Sequence, residues 1–298
     1  MIFLSFLFLA VLVLFYSIFS FSFIFGRLFF FKFILVYFFI LFLFLIVFDF
    51  FFKFILLNFV AIFLKKVLNT DLEILLVWDE IMKEIYRKLI QYIIGLFVMT
   101  VGIAFSIKTN MGISPVSTIP YTMTVIWGVE IGLATIIFHC GLVLLQFILL
   151  RSRFGWNNLA QVPVGVLFGY FTSFSVYLLS FIPESTSIWI SIVYMIISIF
   201  TIAFGIFLYL PPNLVPLAGE GAMQAVSIVF DKKFSNVKIG FDIAMVLISA
   251  CTCLFFIHSF GSVGICTIIS AVFVGMALKA IAKTYTALTG KTVDLKQA

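Results

Sequence analysis

Apolar residues fill this chain in long unbroken runs rather than in alternation. From residue 82 onward the runs approach the length of a bilayer-spanning helix, about 20 residues. They hold few charges and are parted by short polar or Gly/Pro-bearing breaks. Read at helical period, they predict helix A over residues 89–107, B over 132–150 and C over 159–182. A second set follows: A′ over 188–210, B′ over 239–257 and C′ over 264–282. Between A and B, and again between A′ and B′, lies a shorter apolar segment, 114–127 and 216–230. About 14 helical residues rise only about 21 Å, too little for a hydrocarbon core about 30 Å thick.

The two sets resemble one another in order and spacing. "SPVSTIPYTMTVIWG" begins at Ser114, and "AGEGAMQAVSIVFDK" begins about 104 positions later at Ala218. "FGWNNLAQVPVGVLFG" at Phe154 is followed about 106 positions later by "FGSVGICTIISAVFVG" at Phe260. Three spans per copy is an odd number, so the second copy enters the bilayer upside down. Basic residues test this, because they concentrate in cytoplasmic loops. With six spans, Lys83, Arg87, Lys88, Arg151, Arg153, Lys232, Lys233, Lys238 and the four lysines from Lys279 onward share one side, leaving Lys108 opposite. If the short segments also crossed, "RSR" would move to the outside. The expected fold is therefore all-α: a polytopic membrane helical bundle of two inverted repeats, 82–184 and 185–285. Each repeat has three spans plus one short helix, re-entrant or interfacial. Residues 286–298 are expected to form a cytoplasmic tail.

Residues 1–81 read differently. Of the 42 phenylalanines, 23 fall before residue 64, in a low-complexity stretch of Phe, Leu, Ile and Val. It reads either as a lipid-facing hairpin or as AT-rich upstream DNA translated. Under the second reading the protein begins at Met82, where "MKEIYRKLIQYIIGLF" has a short basic head before an apolar helix. Thr70-x-x-Glu73 in the connecting stretch has the spacing of a capping box.

Composition narrows the class further. The chain is 64% hydrophobic and 10% charged, whereas soluble domains carry about a quarter charged residues. The net charge of +6 then sets membrane orientation and gives no reason to expect nucleic acid. The four cysteines lie inside apolar runs without metal-ligand spacing, so they read as packing residues. Cys251 and Cys253 point to different helix faces. No catalytic set, phosphate loop or metal site stands out, so neither enzyme activity nor a cofactor is expected.

A handful of polar residues carries the candidate chemistry. Glu220 stands between Gly219 and Gly221 after a proline-broken run. It reads either as a first-turn cap near the interface or as a cation-, proton- or amine-binding group lining a cavity. Ser114 has N-cap chemistry, Pro115 suits the first helical position, and Pro120 breaks the segment inside. Lys238 and Asp242 are four apart, either a local ion pair or a buried functional acid. Asn236 reads as a cap for B′. His139 and Gln146 share one face of B, and His139 reads as a packed core residue or a proton relay. Asn158 and Gln161 sit near the start of C, while Gly165-x-x-x-Gly169 permits close helix packing. Tyr121, Trp127, Tyr177 and Trp189 fall where an aromatic belt belongs.

"SIKTNMGISPVSTIPY", "VPLAGEGAMQAVS", "FSNVKIGFDIAMV" and "GSVGICTIISAVFVG" together resemble the YitT/YczE-like family of bacterial integral membrane proteins. The resemblance covers about residues 82–288, so the Phe-rich start lies outside it. It implies a multi-pass bacterial cytoplasmic-membrane protein of five or six spans, without an assigned substrate. Ser114, Pro115, Glu220, Asn236, Lys238 and Asp242 fall on its matching segments. One departure is that "SVGICT" stands where this branch often carries Arg-Glu. Putting residues and resemblance together, we expect a secondary-transporter-like permease for a small solute, with both ends of the core cytoplasmic. The alternatives are a non-transporting scaffold or regulator, and a ligand-capturing membrane subunit. The expected partners are the lipid bilayer and an unidentified solute; assembly into a homo-oligomer stays open.

Overall fold

The computed structural model describes residues 72–290. The chain divides into two compact units, 1–81 and 82–298. The Phe-rich stretch and Thr70 of the capping-box spacing lie outside the described residues, as does the tail from residue 291. Every regular element among the described residues is helical. Helix α1 (Leu72–Lys108) leads into a 3₁₀ turn (Pro115–Ser117), α2 (Thr118–Trp127) and α3 (Ile131–Leu150). After the 3₁₀ turn Arg151–Arg153 come α4 (Trp156–Leu159), α5 (Gln161–Leu178) and α6 (Ile188–Tyr209). The chain continues through α7 (Ala218–Phe230), α8 (Phe234–Ile257) and α9 (Ile265–Thr289). Among the described residues, six stretches are long and apolar enough to cross a bilayer: Glu80–Lys108, Ile131–Arg153, Trp156–Leu178, Ile188–Tyr209, Phe234–Ile257 and Ile265–Thr289. The chain is thus an all-helical, multi-pass membrane-type protein, and the predicted spans A, B, C, A′, B′ and C′ appear in order.

Local chemistry explains most boundaries. Pro115 opens the first short segment, where its missing N–H costs nothing. Pro120 falls in the first turn of α2, whose N–H groups have no helical partner in any case. The expected kink is therefore a change from 3₁₀ turn to α-helix just before it. Gly128, at φ 66°, closes α2 in the left-handed region that glycine tolerates. Three expectations shift. α8 begins at Phe234 with Lys233 at its N-cap, so Asn236 lies inside the helix and does not cap it. α9 runs to Thr289 and is closed by Gly290, so residues 286–289 belong to a helix rather than to the tail. C is divided between α4 and α5.

Small residues set the packing. Helices α1 and α6 lie antiparallel, with Gly95 against Gly205 and Gly102 against Ser198. The Ser198 hydroxyl donates to the Gly102 carbonyl (2.8 Å), and the Ser191 hydroxyl to that of Thr109 (2.9 Å). Helices α3 and α5 interlock more tightly still. A Cβ on Gly169 would lie 2.6 Å from the Gly132 carbonyl oxygen, and one on Gly165 2.7 Å from Cβ of His139. The Gly165-x-x-x-Gly169 spacing thus serves close packing. Each short helix crosses to the other half: α2 packs on α8 as well as α3, and α7 packs on α3 as well as α8.

The two ends of the bundle differ in charge. At one end the loops after α1, before α6 and before α9 meet: Ser185 N–H donates to the Lys108 carbonyl (3.1 Å) and Cys266 N–H to that of Met111 (2.9 Å). This end carries Lys108, Glu130 and Glu184. At the other end, Tyr92 of the first span donates to the Val215 carbonyl (2.7 Å), and Lys83, Arg87, Lys88, Arg151, Arg153, Lys232 and Lys233 gather there. Trp127, Tyr177 and Trp189 are exposed, as belt residues should be, whereas Tyr121 is half-buried.

Candidate functional site

A cavity of about 170 Å³ lies inside the bundle. Its apolar wall comes from the middle of the spans: Met99 and Ile103 of α1, Ile202 and Ile206 of α6, Val274 and Leu278 of α9. Its polar wall holds Ser114, His139, Glu220, Lys238 and Asp242, five of the seven candidates read from the sequence. Both short segments present their first turns to it, through Ser114–Ser117 on one side and Leu217, Gly219 and Glu220 on the other. These turns meet: a Cβ on Gly219 would sit 3.8 Å from Cγ1 of Val116.

Glu220 is held by a tyrosine. The Tyr209 hydroxyl donates to Glu220 Oε2 (2.5 Å) and accepts from the Leu217 N–H (2.7 Å). Tyr209 and Glu220 thus share the capping of the first turn through the Leu217 N–H, while Glu220 also lines the cavity. Glu220 is half-buried and lies outside the six spans. Burial pushes its carboxyl up to about 7, against the opposing pull of the Tyr209 hydrogen bond and the Lys238 charge.

Lys238 and Asp242 do not close the expected i,i+4 ion pair; among the described residues no contact within salt-bridge distance joins them, and Asp242 Oδ1 is buried without a hydrogen-bond partner. Instead the Lys238 charge acts on both Glu220 and Asp242. His139 is 3% exposed, packs against Phe138 and Phe168, and leaves Nδ1 without a partner. Ser114 has N-cap backbone geometry, but its side chain makes no capping bond.

Two candidates lie elsewhere. Asn236 is exposed on the first turn of α8. Gln161 is buried in a polar clamp behind the cavity wall. Gln146 Nε2 donates to Gln161 Oε1 (2.8 Å) and to the Ala218 carbonyl (3.2 Å), while Asn158 Nδ2 donates to Gln146 Oε1 (2.9 Å). This clamp fixes the start of α7 against α3 and α5. It also explains Gly221, where any Cβ would collide with the Gln161 amide. Sequence reading missed Tyr209, which holds Glu220, and Ser270, which lines the cavity; they ended or sat within apolar runs and gave no separate signal.

A family model described as a family of unknown function, DUF6198, matches residues 86–283. This chain belongs to the DUF6198 family. The match takes in every cavity-lining residue named above. No curated protein and no solved structure matches the chain.

Proposed function

We propose that this DUF6198 protein is a secondary-transporter-like permease whose solute site is the central cavity. One observation carries the reading: two short segments, at matching places in the two halves, bring their first turns to one mid-bundle void that holds Glu220, Lys238 and Asp242. Irregular backbone at membrane depth persists where it lines a cavity or is buried in protein. Inverted repeats with broken helices at matching positions are the pattern of alternating-access carriers. In this reading the halves are inverted repeats and the short segments are re-entrant. The chain lies in a bacterial cytoplasmic membrane with the basic end of the bundle inside. Kinship with the YitT/YczE-like group rests on the sequence motifs alone. Glu220 and Asp242 carry proton coupling, with Lys238 as the internal counter-charge that either acid takes when the other is protonated.

The test is uptake into proteoliposomes of the full chain, using a panel of radiolabelled small polar and amphiphilic solutes with and without an imposed pH gradient. The reading expects accumulation of at least one solute above empty liposomes, and loss of its gradient dependence in Glu220→Gln. Flux with unchanged pH dependence in that variant removes the coupling role. Saturable binding without flux replaces the permease by the ligand-capturing subunit, which the same cavity would serve.

A further inference from the structure

The cavity is not sealed. Helices α8 and α9 follow one another through the short loop 258–264, yet α8 packs on α2 and α7, α9 packs on α6, and the two form no seam with each other. Gly275 has nothing within 4 Å of where a side chain would start. Ala271 and Gly275 line the cavity and are also exposed on the outer face of the bundle. The turn Pro115–Ser117 reaches into this gap and touches both helices, with Val116 36% exposed in the opening. The void therefore communicates with the outer surface at mid-span height, where the surrounding medium of a membrane protein is hydrocarbon.

Two features fix what would fit. Most of the wall is apolar, with Met99, Ile103, Phe168, Ile202 and Ile206 along it. The polar groups oppose two carboxylates to one ammonium: Glu220 and Asp242 against Lys238. Asp242 Oδ1 lacks a donor, and the buried ring of His139 lines the same void with Nδ1 unpartnered. A protonated amine supplies the donor that Asp242 lacks, whereas an anionic ligand adds another acceptor beside two acids. The helix starts, which favour anions, exert little opposing pull: Glu220 already occupies the first turn of α7, and Pro115 has no N–H.

We infer that the cavity takes an amphiphilic amine, which enters from the bilayer between α8 and α9 and places its ammonium between Asp242 and Glu220 with its apolar body along α1 and α6. This rests on reading the cavity as a solute site, but it is tested without transport. The full chain is placed in nanodiscs of zwitterionic lipid, and binding of labelled n-octylamine is measured above empty nanodiscs, with n-octanol and n-octanoate as matched competitors. The expected result is saturable octylamine binding that neither competitor displaces. It weakens about tenfold or more in Asp242→Asn and tightens in Lys238→Gln. Opposite signs for two substitutions one turn apart distinguish charge recognition from loss of folding, so the pair decides even where one variant is damaged. Gly275→Leu is expected to slow association without changing the charge preference. Preferential octanoate binding, no saturable octylamine binding, or equal affinity in the two charge variants overturns the inference. A protein that binds octylamine but moves no solute would sink the permease and leave this inference standing. One that moves solutes but binds no octylamine would do the reverse.

Discussion

The helix pair α3 and α5 follows the first short segment in the chain and the pair α8 and α9 follows the second, and the two pairs differ sharply. In the first pair Gly132 and Gly169 let backbones touch, Gly165 seats the His139 side chain, and the Gln146–Gln161 bond locks the basic end. In the second pair Gly275 faces open space beside the cavity, and no seam forms. The same residue type thus does opposite things. Gly169 against a carbonyl is a packing requirement, while Gly275, at the cavity edge with nothing opposite it, leaves a gap through which the cavity reaches the surface. What distinguishes the halves is therefore the presence of a partner opposite the small residue, not the count of small residues.

The comparison is broken most easily at the tight pair. Gly169→Val drives a side chain into Ile136 and the Gly132 carbonyl. Overpacking of this kind costs about 1–3 kcal/mol or more, so thermal unfolding in detergent is expected to shift down strongly. Gly275→Ala and Gly240→Ala, by contrast, are expected to be neutral or slightly stabilising, since alanine favours helix by about 1 kcal/mol over glycine. Equal losses at both pairs would erase the asymmetry.

Next in size comes the clamp that holds α7. Gln146 is fully buried and donates to both Gln161 and the Ala218 carbonyl. Gln146→Leu leaves the Gln161 oxygen and the Ala218 carbonyl without that donor, each unsatisfied buried group costing about 1–3 kcal/mol. Tyr209→Phe is expected to cost about 1–2 kcal/mol by removing the hydroxyl that joins Leu217 to Glu220. Both are read by thermal unfolding, and Tyr209→Phe should also alter the pH profile described next.

The remaining expected effect is a slope with pH. The folded state holds the Glu220 proton up to about pH 7, above the ordinary carboxyl value of 4.5. Folding therefore binds a proton in that window, and Glu220 lowers stability progressively as pH rises from about 4.5 to about 7. Below that range the folded and unfolded carboxyls are both protonated, and above it the loss is complete. Unfolding of the wild type at stepped pH should show this decline, and Glu220→Gln should remove it.

Much of this was legible beforehand, for physical reasons that can be named. Span positions follow from the length of apolar runs, which is why Ile131–Leu150 and Ile188–Tyr209 match the reading within a residue or two. The short segments announced themselves through Pro115, Pro120, Pro211, Pro212 and Pro216. Ser114, His139, Glu220, Lys238 and Asp242 stood out because polar groups are costly in apolar surroundings, and the cavity collects all five. What escaped is what depends on neighbours distant in sequence. Lys238 and Asp242 have the spacing of an ion pair, but Glu220 on α7 competes for the lysine charge. Gln161 looked like a binding group until Gln146 was found bonded to it. Tyr209 closed an apolar run as any belt tyrosine would, and only the fold sets its hydroxyl against Glu220.

The account turns on the two short segments meeting head to head inside the bundle. Cysteine cross-linking asks this directly: Val116→Cys and Gly219→Cys are combined in a chain whose own Cys140, Cys251, Cys253 and Cys266 are replaced by serine or alanine. With Val116 Cγ1 3.8 Å from the Gly219 Cβ position, the two side chains stand near the reach of a disulfide. Mild oxidation of membranes is predicted to give an intramolecular cross-link that needs both substitutions. Absence of that cross-link, in protein that still unfolds cooperatively and whose two thiols react with a short maleimide, would contradict it.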